Sequence, residues 1–255
     1  MIYPVFLLKG MIKIDNSFYR TRLLIGDESF EKLKKSKIAI FGIGGVGSFA
    51  AEAIARSGVE NIELFDADTV DVTNINRQII ADTSTIGKFK SEVMHSRINN
   101  INPNAKVIAH KCFFDRNNEF NYDFSEYDYV IDAIDTMSSK ILLIEKAKSS
   151  EVNIISSMGT GNKLNPCDFE VADIYSTSVC PLARVMRREL KKRNIESLKV
   201  VYSKEKPLYI PHEIDKNFSC EITNPKRVNS SISFVPPVAG MILASEVIKD
   251  LLKKR

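Results

Sequence analysis

Residues 37–58 read KIAIFGIGGVGSFAAEAIARSG: a short apolar strand, a glycine-dense turn and an alanine-rich helix. No other stretch limits the possible folds so strongly. Gly42, Gly44, Gly45 and Gly47 set out the pattern GxGGxG between strand and helix. Glycine permits a tight turn there and leaves no Cβ in the way of a ligand. The helix behind it offers unpaired N–H groups and the positive end of its dipole. Such a unit cradles an anion, and its strand-before, helix-after setting marks a nucleotide phosphate as that anion.

The rest of the chain keeps this alternation. Strands are predicted at 38–41, 62–65, 107–110, 129–133 and 153–156, with helices at 46–57, 88–101 and 140–148 between them. An amphipathic helical region at 18–33 precedes the first strand. A polar loop covers 66 to about 82, and MGTGN forms a turn after the fifth strand. The pattern specifies an α/β fold, a Rossmann-like doubly wound and mainly parallel sheet with a C-terminal extension. In that extension 169–174 and 198–202 read as strands flanking a basic helix. A closing helix at 238–252 is expected to start just after Pro236 and Pro237. Residues 1–17 are expected to form an N-terminal appendage, 18–255 one nucleotide-binding domain, and 170–255 its substrate-specifying part.

Composition narrows the setting. Apolar residues make up 44% and charged residues 27% of 255, which provides for a real core. A net charge of +4 is too mild to imply a nucleic-acid partner without local clusters. Cys112, Cys167, Cys180 and Cys220 form no CxxC pair, so no structural zinc site is expected. Reduced thiols and a cytoplasmic location fit them best. The opening MIYPVFLLKG lacks a basic leader, Met11 is an alternative start, and no apolar run reaches the ~20 residues of a membrane span.

The glycine loop alone serves NAD and ATP equally well. Asp66, at the end of the second strand, is placed to accept hydrogen bonds from ribose hydroxyls in either case. The stretch DADTVDVTNINRQ, residues 66–78, favours ATP. A dehydrogenase has no evident use for Asn74 and Arg77 there, whereas a triphosphate needs added cations. Arg77 supplies a planar fork for phosphate oxygens, and Lys90 a point charge at the start of the next helix. Asn74 can orient the α-phosphate or the attacking group. Asp135, ending VIDAID, stands where a carboxylate would hold Mg²⁺ or, as simply, cap the next helix.

GIGGVG, DADTVDVTNINRQ, the lysine of GKFK and VIDAID together resemble the ThiF/MoeB/HesA family, relatives of the ubiquitin-activating enzymes. The resemblance implies binding of ATP and Mg²⁺, adenylation of a carboxylate with release of pyrophosphate, and a homodimer. It puts the glycine loop on the phosphates, and Asp66 with Asp68 among the nucleotide ligands. Asn74, Arg77 and Lys90 then serve the triphosphate and the transition state, and Asp135 the metal. Arg22, in YRTRLL, resembles the family's N-terminal arginine that reaches the partner subunit's ATP.

Within the family, members that activate sulfur-carrier proteins commonly hold zinc on two CxxC pairs, absent here. NKLNP at 162–166, VCPLARVMRREL at 179–190 and the late PKR resemble instead the branch that dehydrates threonylcarbamoyladenosine in tRNA. That resemblance implies a tRNA substrate and a sulfur-transfer partner protein. Some relatives carry a cysteine after the late KR, where Val228, Asn229 and Ser230 stand here, with Cys220 nearby. Arg184, Arg187, Arg188 and Lys191 recur at i, i+3, i+4 and i+7, a basic helix face suited to tRNA, with Leu182, Val185, Met186 and Leu190 toward the core. The alternatives are an adenylating enzyme for a small ubiquitin-like carrier protein, an NAD-dependent oxidoreductase, and a nucleotide-sensing scaffold.

Overall fold

The structure is a computed structural model that describes residues 17–209 and 230–253. Most of the N-terminal appendage, Cys220 and the late PKR with Val228 and Asn229 lie outside the described residues. The elements in order are α1 (Tyr19–Ile25), α2 (Asp27–Lys35), β1 (Lys37–Phe41), α3 (Gly47–Arg56), β2 (Asn61–Phe65), α4 (Lys90–Ile101) and β3 (Lys106–His110). They continue with β4 (Tyr129–Asp132), α5 (Met137–Ser149), β5 (Asn153–Ser157), β6 (Phe169–Asp173), α6 (Pro181–Lys191), β7 (Lys199–Ser203) and α7 (Val235–Lys253).

The strands form one sheet in the order β3-β2-β1-β4-β5-β7-β6. All neighbours are parallel except β6, which pairs antiparallel with β7 at the edge. Both faces are covered, as the continuous apolar runs of the strands require. Ile38 and Ile40 of β1 pack on one side with Ile54 of α3, Met94 of α4 and Leu243 of α7. Ala39 and Phe41 pack on the other with Leu143 of α5 and Met186 of α6. Lys199 and the Tyr129 hydroxyl both reach Asp250, at 2.9 and 2.8 Å, and tie α7 to the sheet.

Three expectations need correction. The helical region at 18–33 is two helices, because the chain turns at Gly26. α7 starts at Val235 and takes Pro236 and Pro237 into its first turn, where the missing N–H groups have no intrahelical partner to lose. α5 begins at Met137, three residues before the expected start at 140, because Ser138 and Ser139 show no hydrophobic period yet continue the helix.

β1 leads on one side to β2 and on the other to β4, so the sequence order reverses there. Phe41, Phe65, Ala133 and Ser157, at the carboxyl ends of β1, β2, β4 and β5, line a cavity of about 1100 Å³. Open α/β sheets bind their ligands at such a crevice.

Candidate active site

The glycine loop forms one wall of the cavity. Gly42 has φ +86°, and a Cβ there would lie 2.6 Å from the Ala133 carbonyl oxygen. Only glycine allows that turn against β4. Gly42, Gly44 and Gly45 line the cavity. Gly47 is beneath it: a Cβ there would come within 1.7 Å of the Gly42 carbonyl oxygen, so this glycine seats α3 against the turn rather than facing a ligand. No side chain caps the N-terminus of α3 at Val46; the Ser48 N–H donates to the Gly44 carbonyl at 3.0 Å, and the positive end of the helix, with Val46, borders the cavity.

Asp66 holds the loop in shape. Its carboxylate accepts from the Ile43 N–H at 2.6 Å and from the Asp68 N–H at 2.8 Å. Burial pushes its pKa up from the ordinary value. The sequence assigns Asp66 to ribose alone; in the structure it first positions the backbone around the cradle and retains lone pairs toward the cavity.

The loop after β2 supplies the cations. Asn74 ends a single 3₁₀ turn, residues Val72–Asn74, and closes a capping box with Asp71. That turn aims Arg77, which donates to the Thr73 carbonyl and to Asn76 Oδ1, both at 2.9 Å. Burial pulls the Arg77 pKa down, yet a guanidinium stays charged because its ordinary value is so high. Lys90, 7% exposed, opens α4 and pairs with Asp68 at 2.7 Å. Asn74, Arg77, Lys90, Asp66 and Asp68 therefore surround one cavity with the glycine loop.

The far wall starts at β4. Asp135 is exposed and lines the cavity. It does not cap the helix behind it, because the N-cap of α5 is Thr136 and makes no side-chain cap bond. The turn that carries Asp135 rests on a network the sequence reading missed. Lys140 and Asp132, both fully buried, pair at 2.9 Å. Lys140 also donates to the Ile134 carbonyl at 2.9 Å, and Ser156 Oγ donates to Asp132 at 2.5 Å. The signal was available: an acidic residue inside a strand buried on both faces demands a partner.

Three further lining residues went unassigned. Gln78, 6% exposed, sits beside Gly44, and its buried Oε1 has no hydrogen-bond partner in the structure. Lys163, 3% exposed, and buried Cys180 lie on the β5 side.

Two groups of expected site residues are not together. Arg22 lies outside the cavity, paired with Asp27 and stacked over Phe30. The basic face of α6 is divided. Arg184 lines the cavity, while Arg188 and Lys191 are exposed. Arg187 is half-buried and clasps Thr177, donating to its carbonyl at 3.0 Å and to its hydroxyl. Its reach to Thr177 turns it from the surface. The core side of α6 is Ala183, Met186 and Leu190, whereas Val185 lines the cavity and Leu182 is half-buried.

A sequence profile of the ThiF family matches residues 18–255. The chain belongs to the ThiF family. Within the family it is 46% identical over 245 residues to a Bacillus subtilis protein named tRNA threonylcarbamoyladenosine dehydratase, covering 93% of this chain and 95% of that one. A Haemophilus influenzae protein of the same name is 35% identical over 258 residues, covering 96% and 98%. Among solved structures, Escherichia coli TcdA in complex with ATP superposes with a TM-score of 0.83 at 32% identity, covering 94% of this chain and 95% of that one. No helix among the described residues is long and apolar enough to cross a membrane.

Proposed function

We propose that this chain is an ATP-dependent tRNA threonylcarbamoyladenosine dehydratase, a cytosolic ligase-type cyclase in its chemistry. The observation that carries the reading is the cavity itself: a glycine cradle and an uncapped helix N-terminus, ringed by Asn74, Arg77 and Lys90. Full-length similarity to proteins of that name supports it.

A carboxylate is a poor electrophile because its leaving group would be oxide. Attack by a carboxylate oxygen on the α-phosphorus of ATP breaks the bond to pyrophosphate and leaves an acyl adenylate. A nucleophile of the same side chain then attacks the carbonyl carbon and expels AMP, with net loss of water. The chain needs no nucleophile of its own for the first step. It aligns two reactants and stabilises charge developing on phosphate. Arg77 and Lys90 provide that charge from fixed positions.

The metal reading rests on Asp135. Among the described residues no cluster of three or more His, Cys, Asp or Glu could hold an ion. The exposed Asp135 carboxylate at the cavity fits Mg²⁺, which binds through one or two carboxylates with water and substrate phosphates. When bound, the ion neutralises charge on the phosphates.

Residues 170–255 specify the substrate. Arg184, Arg188 and Lys191 present charge to tRNA, and Arg187 acts through its hold on Thr177. A homodimer is the assembly: Leu23 and Leu24 of α1 are 68% and 85% exposed, an apolar face next to Arg22.

The test is incubation with ATP, Mg²⁺ and bulk tRNA, followed by mass analysis of the nucleosides. Threonylcarbamoyladenosine loses one water if the reading holds. AMP formation without that loss returns the carrier-protein alternative.

A further inference from the structure

The phosphate chemistry above leaves the β5 wall of the cavity without a role. Lys163 lies on that wall, in the loop after β5, 3% exposed yet lining the cavity. An ammonium has three donors, and a charge this deeply buried is ordinarily paired. Among the described residues its one hydrogen-bond partner is the Glu205 carbonyl, at 2.5 Å. The Glu205 carboxylate is committed elsewhere, to the N–H groups of Leu164 and Asn165 at 2.9 Å. Burial pushes the Lys163 pKa down, so its surroundings within the chain disfavour the cation and an incoming anion restores it.

The loop that carries Lys163 is pinned. The Asn162 N–H donates to the Ser230 carbonyl at 2.8 Å, and the Ser230 N–H returns to Asn162 Oδ1 at 2.7 Å. The Leu208 N–H donates to the Asn162 carbonyl at 2.7 Å. The ammonium is thus presented from a fixed position.

Its place in the sheet says which anion. Arg77 and Lys90 follow β2, and Lys163 follows β5; β1 and β4 lie between. Three strand spacings separate the two sides by about 14 Å. Displacement at phosphorus brings the entering oxygen in line with the leaving one, from the opposite face. With the phosphates held on the β1–β2 side, the entering carboxylate comes from the β4–β5 side.

We propose that Lys163 receives the threonyl carboxylate of the substrate and holds one of its oxygens toward the α-phosphorus of ATP. This rests on the dehydratase reading. In the step it serves, the carboxylate oxygen bonds to phosphorus and the electron pair of the broken bond leaves with pyrophosphate. Lys163 keeps its protons.

The experiment measures binding of two tRNAs, one bearing the threonylcarbamoyl group and one lacking it, to the full chain and to Lys163→Met. Wild type prefers the modified tRNA by about tenfold to hundredfold, the scale of a hydrogen bond to a charged group. Lys163→Met loses that preference and raises KM for the modified tRNA, with ATP affinity unchanged. A Met variant that keeps both preference and turnover overturns the proposal while the dehydratase reading stands. A wild-type chain with neither preference nor water loss overturns both. If Lys163→Met fails to bind ATP and so has not folded, Lys163→Arg decides: retained preference supports the carboxylate role, and lost preference overturns it.

Discussion

Two lysine–aspartate pairs flank the same cavity and do opposite work. Lys90 meets Asp68 at 2.7 Å with the aspartate side chain half exposed, at the rim. Lys140 meets Asp132 at 2.9 Å with both side chains fully buried, under the turn that carries Asp135. The first pair can separate at lower cost, because both residues line the cavity and the Asp68 carboxylate stays hydrated without its partner. The second cannot, since removing either member strands a charge where no solvent can follow. Identical chemistry thus serves as a replaceable contact in one place and as scaffold in the other, and burial decides which.

Substitution should separate the pairs most sharply at the sealed one. Lys140→Met should cost about 3–5 kcal/mol of unfolding free energy, measured by denaturant titration, because Asp132 is left buried and unpaired. A variant as stable as wild type would erase the distinction. At the rim, Arg77→Ala and Lys90→Met should each lower turnover about 10²–10³-fold. Unfolding free energy should fall less for Lys90→Met than for Lys140→Met, because the Asp68 left behind is 51% exposed and stays hydrated. If Arg77→Ala turns over normally, Arg77 has no part in the chemistry.

The ion pairs and hydrogen bonds around Glu63 sharpen the comparison through pH. Burial works against a charged Glu63, but hydrogen bonds from His110, Lys37 and Tyr127 outweigh it and hold its pKa at about 2. Because the folded value is depressed from 4.5, its contribution is complete above that pH and is lost as pH falls from there toward 2. Denaturant midpoints followed over that window should drop for wild type and drop less for Glu63→Gln. The smallest expected effect is at the outer surface. Arg188→Glu should weaken tRNA binding with no change in its selectivity for the modified base, and lower the salt slope by about one to two phosphate contacts.

The rim was legible in the sequence and the scaffold was not, for a physical reason. Gly42 to Lys90 form a nearly continuous run in which strand, turn and helix follow one another, so local spacing carries the geometry. Asn74 and Arg77 are three residues apart on one turn, and their convergence on the glycine loop follows from the sheet order. Lys163 meets Glu205 across 42 residues, and Ser230 pairs with Asn162 across 68. No local period encodes such contacts. Asp132 was visible as a misplaced charge in an apolar strand, but its partner on α5 was concealed within a helix read from its apolar residues. The even basic face drawn on α6 failed because a helical wheel cannot show that Thr177 lies within reach of Arg187.

The central claim is that a carboxylate of the substrate attacks the α-phosphorus of ATP within this cavity. Threonylcarbamoyladenosine tRNA labelled with ¹⁸O in that carboxylate tests it directly, with the released nucleotide analysed by mass. AMP carrying one heavy oxygen is expected, formed in step with loss of water from the nucleoside. Unlabelled AMP, or ADP in its place, would contradict it.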